Sequence, residues 1–304
     1  MVPDGLDGAR LDKAALALAP GIARAEMKRA IAMGAVRVNG RACRKGANVS
    51  MGDVLTIDQS KITPRNAAAL PEPEAALLVR YESKAVLLVD KPAGQPTAPL
   101  RAIETGTLAN VLVGRYPELA GIGYGPREPG LVNRLDTDTS GLVLVARTGQ
   151  AFLVLKAALK SGELHKSYLL VCAADGLPER GTIEYPLAKH PKDQRRVLAC
   201  IHPRDVTRYA ARPARTEFRV QRRLGDRWAL VEASVSRALR HQVRAHFAAA
   251  GHPLAGDLLY GGDEVPGLRR HALHAAEILF EGGGEVEAFD VRSPLPEAFA
   301  VFGT

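Results

Sequence analysis

The sequence contains few cysteines and no long apolar run. Its three cysteines, Cys43, Cys172 and Cys200, form no C-x-x-C pair, which excludes a zinc knuckle and a secreted disulfide scaffold. We therefore expect a reducing, cytoplasmic setting. No apolar stretch reaches the roughly 18 residues that a membrane helix needs. The apolar run at residues 14–19 follows several acidic residues and ends at Pro20, so we expect neither a signal peptide nor a membrane partner.

The overall composition is that of an ordinary folded protein. Hydrophobic residues make up 46% of the chain and charged residues 24%, which excludes a disordered or low-complexity protein. The length of 304 residues exceeds the roughly 100 to 200 residues of an average domain. We therefore expect one large core and a second, smaller module.

Positive charge is in excess and is concentrated in two segments. Lys and Arg number 41 against 33 Asp and Glu, a net charge of +8. Residues 22–46 contain seven basic residues and one acid, and residues 189–223 contain eleven basic residues and three acids. Because the remainder is acidic, the two basic segments favour a polyanion such as nucleic acid over a small anionic metabolite.

The first 60 residues predict a small module of two helices and a hairpin. Helical spacing of apolar residues begins at Leu11, a second helix is predicted over residues 23–33, and Gly34 ends it. Residues 36–38 alternate in the manner of a strand before the turn dipeptide Asn39-Gly40, and residues 49–57 supply a further strand.

This module resembles the RNA-binding module of small-subunit ribosomal protein S-four. The resemblance covers about residues 8–58 and depends mainly on G-A-V-R-V-N-G at residues 34–40, followed by Gly52-Asp53. Ala23 departs from the serine common at that position, which weakens the cap of the second helix. The resemblance implies RNA-binding residues on the second helix and the following strand and turn, namely Arg24, Lys28, Arg29, Arg37 and Arg41. A dimerisation module of the same shape is the alternative.

A linker is predicted between this module and the rest of the chain. Residues 63–73 read TPRNAAALPEP, with three prolines and no sustained periodicity, and we place the linker at residues 61–76 and a second domain at 77–304. Within that domain the patterns predict short strands over 77–79 and 86–89, a helix over 109–120, a buried strand over 142–146 and a helix over 238–250.

Polar, chemically capable residues lie just before the buried strand. Asp136, Asp138 and Thr139 fit the D-x-D-x-T/S pattern of aspartate-nucleophile phosphatases. Such an enzyme places its first aspartate after a bare hydrophobic strand and holds Mg²⁺ with further carboxylates. Here Arg134 precedes Asp136 and no later acidic pair is evident, so the phosphatase is the less favoured alternative.

A longer match favours a different chemistry. The segment R-L-D-T-D-T-S-G-L at residues 134–142 resembles the signature of the RluA-type pseudouridine synthases, which isomerise uridine in structured RNA. Further segments agree in order: D-K-P-A-G at 90–94, H-K-S-Y at 165–168, H-Q-V-R-A-H at 241–246 and G-H-P-L-A-G-D-L-L-Y-G at 251–261. The resemblance runs from about residue 77 to the end. It implies an α+β fold in which the small helix-helix-hairpin module precedes a mixed, mainly antiparallel sheet flanked by helices.

The resemblance also implies roles for individual residues. Asp136 would be the catalytic aspartate, and Arg244 would pair with it, since a carboxylate in a closed pocket needs a nearby cation. Tyr168 would lie against the target base, repaying part of the cost of unstacking it. Arg134 would contact RNA and help displace the base. Whether Asp136 attacks C1′, attacks the base or abstracts a sugar proton stays open.

Three departures from the family pattern concern the substrate. Asn133 stands where histidine is common, R-A-L-R at 237–240 replaces T-G-R-T, and Q-P-T-A-P at 95–99 replaces a histidine-proline. They fit a member with its own RNA target.

No metal site and no cofactor is predicted. His241 and His246 are five residues apart and so do not share a helix face as metal ligands would. We expect a monomeric, cofactor-free enzyme whose partner is structured RNA, with large-subunit ribosomal RNA as the leading substrate. The alternative is a non-catalytic RNA-binding assembly factor.

Overall fold

The computed structural model describes residues 1–20, 22–58, 61, 67–101, 103–236 and 238–303. Its contacts divide the chain into two compact units, Met1–Leu70 with Pro99–Thr105, and Pro71–Ala98 with Gly106–Thr304. Residues 62–66 of the predicted linker lie outside the described residues. Within the described ranges, no helix has the length and apolar composition needed to cross a membrane.

The smaller unit packs two helices against a three-stranded sheet. Its elements are α1 (Leu11–Leu18), α2 (Arg24–Ala32), β1 (Val36–Val38), β2 (Arg41–Ala42) and β3 (Leu55–Ile57). The central β1 pairs antiparallel with both neighbours. Asn39 and Gly40 join β1 to β2 with φ values of 49° and 77°, the left-handed conformation that a tight hairpin turn requires. Leu11, Met27 and Val36 are fully buried in the core.

Helix α2 begins without the side-chain cap that a serine would supply. Ala23 makes no side-chain hydrogen bond, but its backbone N donates to Glu26 Oε2 at 2.9 Å. Glu26 therefore supplies the carboxylate half of a capping box, which partly offsets the predicted weakness.

The larger unit contains one large mixed sheet and a separate two-stranded hairpin. Its strands are β4 (Leu78–Glu82), β5 (Val86–Lys91), β6 (Ser140–Ala146), β7 (His165–Ala173), β8 (Arg180–Ile183), β9 (Leu187–Lys189), β10 (Val197–Ala199), β11 (Thr216–Leu224), β12 (Trp228–Ser234), β13 (Leu273–Phe280) and β14 (Phe289–Arg292). Among the described residues the order is β4-β5-β6-β13-β7-β12-β11-β8, with β14 beside β13 and β9–β10 as a separate hairpin. Only β6 and β13 pair in parallel in that part of the chain. The predicted mixed, mainly antiparallel α+β fold is confirmed.

Among the described residues, four α-helices accompany the sheet: α3 (Leu108–Arg115), α4 (Gly149–Ser161), α5 (Pro203–Arg208) and α6 (Gln242–Ala249). All seven residues of β6 are buried, and Phe152 and Leu155 of α4 pack in the same core cluster as Leu142 and Leu144. Continuous burial explains why β6 shows no apolar-polar alternation.

The parallel junction of β6 and β13 depends on a glycine. Gly141 has a φ of 111°, and a Cβ at this position would collide with the backbone of Ala275. Only glycine combines that conformation with so close an approach. The junction fixes where β6 begins and so where the polar turn before it lies.

The predicted helix over 238–250 begins too early. Residue 237 lies outside the described residues, residues 238–241 are not helical, and His241 adopts a left-handed φ of 53°. The Gln242 side chain explains the break, because its Oε1 accepts from Leu239 N at 2.9 Å and its Nε2 donates to Arg215 O at 2.8 Å. These bonds hold the preceding chain in a turn.

Candidate active site

Asp136 lies in the turn that leads into β6. Thr139 N donates to Asp136 O at 3.0 Å, which closes the turn, and the Asp136 side chain is 25% exposed. The carboxylate is therefore held in the protein and still open to a ligand. Asp138, two residues on, is exposed.

Arg244 joins Asp136 to a second, fully buried carboxylate. Its Nη1 donates to Asp136 Oδ2 at 3.0 Å, while Nε and Nη2 donate to the two oxygens of Asp257 at 2.7 and 2.8 Å. Burial disfavours the charge of Arg244, but Asp257 and Asp136 outweigh it and raise the pKa of the guanidinium. The fork to Asp257 fixes the plane of the guanidinium, so the remaining nitrogen is aimed at Asp136. The predicted pairing of Arg244 with Asp136 is present in the structure.

Tyr260 and His241 complete the surroundings of this ion pair. The Arg244 guanidinium carbon lies 5.1 Å from the centroid of the Tyr260 ring, and the Tyr260 hydroxyl lies 3.0 Å from His241 Nδ1. His241 Nε2 is 3.6 Å from Asp136 Oδ1. Because burial lowers the pKa of His241, the ring is neutral at pH 7 and this is a polar contact rather than an ion pair.

Tyr168 lies on β7, across one strand from the Asp136 turn. It is aligned with Ala275 of β13, whose other neighbour is Gly141 of β6. The side chain is almost completely buried, and burial together with the negative charge of Asp136 raises the pKa of its phenol. Tyr168 is therefore an uncharged hydroxyl within the field of Asp136.

Two buried side chains hold the Asp136 turn in place through hydrogen bonds to its backbone. Lys91 is fully buried, and its Nζ donates to the carbonyls of Pro92, Gln95 and Thr137 at 2.8, 2.8 and 3.0 Å. Burial lowers the pKa of Lys91 to about 8, against the opposing charges of Asp136 and Asp138. Thr97 Oγ1 donates to Leu135 O at 2.7 Å and accepts from Leu135 N at 3.1 Å. Residues on both sides of Asp136 are thus fixed.

Two buried histidines hold the far end of the turn. His271 Nε2 lies 2.7 Å from Thr139 Oγ1, and His274 Nδ1 lies 2.9 Å from Ser140 Oγ. Burial lowers the pKa of His271 to about 2 and that of His274 to about 4. Both rings are therefore neutral in the folded protein at neutral pH.

These histidines predict a loss of stability in acid. Between the ordinary histidine pKa of about 6.5 and the lowered folded values, the unfolded chain binds protons that the folded chain does not. The free energy of unfolding therefore falls as the pH falls below about 6.5, by up to about 1.4 kcal/mol per pH unit for each histidine. Urea unfolding from about pH 6 to about pH 4 should give a shallower pH dependence for His271→Gln than for the wild type. Equal slopes would contradict the assignment.

Arg134 is not in contact with Asp136. Its side chain is 68% exposed, and Nη1 donates to Glu128 Oε1 at 2.6 Å. Among the described residues it therefore lies on the surface beside the turn and pairs with Glu128.

The five basic residues predicted to bind RNA in the small unit are all exposed: Arg24, Lys28, Arg29, Arg37 and Arg41. Within the described ranges no ion pair involves any of them. Arg24 and Lys28 are one helical turn apart on α2, and Arg37 lies on the adjacent β1. The unit thus carries cations that no described carboxylate neutralises.

The basic segment at residues 189–223 is partly neutralised in the folded protein by acids from other parts of the chain. Arg215, Arg219 and Arg223 pair with Glu184, Glu232 and Glu179. All three acids lie outside residues 189–223 and did not enter the count of charges. The positive excess near the larger unit's surface is correspondingly smaller.

Several residues of the site were not assigned a role from the sequence. Asp257 and Tyr260 lie in the matched segment at residues 251–261, and Lys91 lies in the matched segment at residues 90–94. Asp257 and Lys91 are charged residues within otherwise apolar or glycine-rich motifs, and this contrast could have marked them as site residues. Two departures act in the scaffold: Thr97 holds Leu135, and Asn133 Oδ1 accepts from Leu144 N at 2.8 Å.

The fold and the sequence are similar to those of known proteins. A solved structure titled "Human RNA Pseudouridylate Synthase Domain Containing 1" superposes with a TM-score of 0.57, at 25% identity, over 76% of this chain and 89% of that chain. The fold is thus that of a pseudouridylate synthase domain. Ribosomal large subunit pseudouridine synthase D of Xanthomonas campestris is 33% identical over 98% of this chain and 88% of that protein. Its namesake from Xylella fastidiosa is 34% identical over 97% of this chain and 88% of that protein.

Residues 85–249 match the family model described as RNA pseudouridylate synthase. The chain belongs to this family of RNA-modifying isomerases, as predicted from the segment at residues 134–142. The phosphatase and the non-catalytic assembly factor are set aside.

Proposed function

We propose that this protein converts specific uridines of large-subunit ribosomal RNA to pseudouridine, with Asp136 as the catalytic carboxylate. The observation that carries the proposal is the chain of contacts from buried Asp257 through Arg244 to the partly exposed Asp136. It presents one carboxylate to a ligand and balances its charge from the protein side. The names of the Xanthomonas and Xylella relatives support the ribosomal substrate.

The isomerisation needs a carboxylate in this position. The N1–C1′ bond of uridine breaks, the uracil turns, a C5–C1′ bond forms, and the C5 proton is lost as N1 gains one. Asp136 takes part in these steps by attack on C1′, by attack on the base or by removal of a sugar proton. Each route requires the carboxylate to be held still, and Arg244 supplies that restraint.

Tyr168 and Arg134 act on the base. Tyr168 provides an uncharged aromatic surface for a uracil that has left its stack, and such a contact is worth about 1 to 3 kcal/mol. Arg134, exposed and paired only with Glu128 among the described residues, contacts the RNA and helps displace the base.

The two predicted domains divide binding from chemistry. Residues 1–60 form an S-four-like RNA-binding domain, residues 61–76 a linker, and residues 77–304 the catalytic domain. The three cysteines are free, which is consistent with action in the cytoplasm, and the proposed active form is the monomer.

Neutralising part of the small unit should weaken RNA binding without affecting chemistry. The triple variant Lys28→Gln, Arg29→Gln, Arg37→Gln is expected to lower the slope of log affinity against log salt by about 2 to 3, since each phosphate contact contributes about 0.7 to 0.9. The turnover at saturating RNA should stay unchanged. A triple variant at Lys84, Lys160 and Arg180, which are exposed in the larger unit, matches the charge change. An equal slope for both triple variants would contradict the division.

The function itself is tested in vitro. Purified protein is incubated with an unmodified transcript of bacterial large-subunit ribosomal RNA, and pseudouridine is mapped by carbodiimide adducts and primer extension. Conversion at discrete uridines supports the proposal, whereas conversion confined to other RNAs, such as transfer RNA, would overturn the proposed substrate.

A further inference from the structure

One guanidinium nitrogen of Arg196 lacks a hydrogen-bond partner beside the active site. It immediately precedes β10, and its guanidinium carbon lies 5.3 Å from the centroid of the Tyr260 ring. Nε is buried and has no hydrogen-bond acceptor among the described residues, and no ion pair involves Arg196 in that part of the chain. Buried polar atoms in folded proteins nearly always have a partner. The residue as a whole is only half-buried, and no described carboxylate balances its charge.

The hairpin that carries Arg196 is attached to the catalytic ion pair. Val197 N donates to the Tyr260 hydroxyl at 2.8 Å, and the same ring lies 5.1 Å from the guanidinium carbon of Arg244. Arg244 in turn donates to Asp136. Arg196 is thus separated from Asp136 by one aromatic ring and one guanidinium.

The charges around Arg196 favour an anion. Arg240 donates from Nη1 to Gln194 O at 3.0 Å and from Nη2 to Arg195 O at 2.9 Å. Arg195 pairs with Asp193, so the acid on this hairpin is already engaged. Arg196 is therefore a cation without a described carboxylate partner, and it lies next to the site that the RNA strand must enter.

We propose that Arg196 binds a phosphate of the RNA strand flanking the uridine held at Asp136. This inference rests on the proposed function. A guanidinium presents parallel N–H donors that match two phosphate oxygens, and its contact with the Tyr260 ring orients it before RNA arrives. The bound phosphate would fix the strand in register with the catalytic carboxylate.

The salt dependence of binding tests this role. The probe is a fluorescein-labelled oligouridylate of about 12 nucleotides, titrated in about 0.05 to 0.2 M NaCl. Arg196→Gln should lower affinity about tenfold at 0.1 M salt and lower the salt slope by about 0.7, one single-strand phosphate. Arg196→Lys should keep the slope and lose part of the affinity, because a lysine is a point charge. Arg195→Gln, whose charge Asp193 already balances, is the matched control and should change the slope much less.

The other outcomes separate the explanations. An unchanged slope with a reduced turnover at saturating RNA would show that Arg196 only supports Tyr260, and would overturn the proposal. If Arg196→Gln fails to fold, wild-type affinity in Arg196→Lys overturns it, because a lysine cannot reproduce the two-donor contact. A wild type that neither binds the oligouridylate nor forms pseudouridine in the ribosomal transcript means that the proposed function has failed. A wild type that does both, with an unchanged slope in Arg196→Gln, rejects the Arg196 contact alone.

Discussion

Asp136→Asn is expected to abolish pseudouridine formation and to leave RNA affinity near that of the wild type. Asparagine has the size of aspartate but is neither a nucleophile nor a base, and removing such a group costs at least about 10⁴-fold in turnover. Binding should persist because Asp136 contributes negative charge to the site and no cation. Turnover is measured by tritium release from C5-tritiated uridine in the ribosomal transcript, and affinity by filter binding.

Asp138→Asn is the matched control for this result. Asp138 is two residues away, has the same charge and is exposed, so its replacement should leave turnover within about twofold of the wild type; surface changes of this kind alter stability by less than about 0.5 kcal/mol. Substantial activity in Asp136→Asn, or equal losses in both variants, would contradict the assignment of Asp136.

Asp257→Asn should damage both the stability of the protein and its chemistry. Asp257 is buried and accepts two hydrogen bonds from Arg244, and breaking one side of a buried ion pair costs about 3 to 5 kcal/mol. Without the fork, Arg244 no longer holds Asp136 in place. We expect turnover of the folded fraction to fall about 100-fold, the size of effect that a displacement of about 1 Å produces. The KM for RNA should change little.

Asp263→Asn separates this effect from the loss of an ordinary ion pair. Asp263 pairs with Arg227 with side chains 66% and 63% exposed, and such surface pairs contribute at most about 1 kcal/mol. It should leave turnover unchanged and shift the urea midpoint little. If Asp257→Asn lost stability but its folded fraction kept wild-type turnover, Asp257 would be structural and would not position Arg244.

The sequence predicted the pair at the centre of the site and left its supports unassigned. Asp136 and Arg244 lie in two of the motifs that carry the family resemblance, at residues 134–142 and 241–246. Asp257 lies 13 residues beyond Arg244, past the end of α6, and helical periodicity does not extend there. The left-handed conformation of His241 at the start of α6 was also missed, because a positive φ is uncommon for any residue other than glycine.

Long-range pairing explains the remaining differences. Strands β6 and β13 are separated by more than a hundred residues, and their parallel contact at Gly141 and Ala275 leaves no local pattern. The net charge of residues 189–223 overstates the positive charge of the surrounding surface, because Glu184, Glu232 and Glu179 pair with its arginines from outside the segment. Local patterns predicted several of the strands, and the family resemblance supplied the candidate catalytic residues. The sheet order that places Tyr168 one strand away from the Asp136 turn was apparent only in the folded chain.

The central claim is tested most directly by mapping pseudouridine in ribosomal RNA from cells that lack this protein. Large-subunit RNA is compared from the deletion strain, from that strain carrying the wild-type gene, and from that strain carrying Asp136→Asn. We predict that one or a few uridines stay unmodified in the deletion strain, regain modification with the wild-type gene and do not regain it with Asp136→Asn. Identical maps in all three strains, or full restoration by Asp136→Asn, would contradict the account.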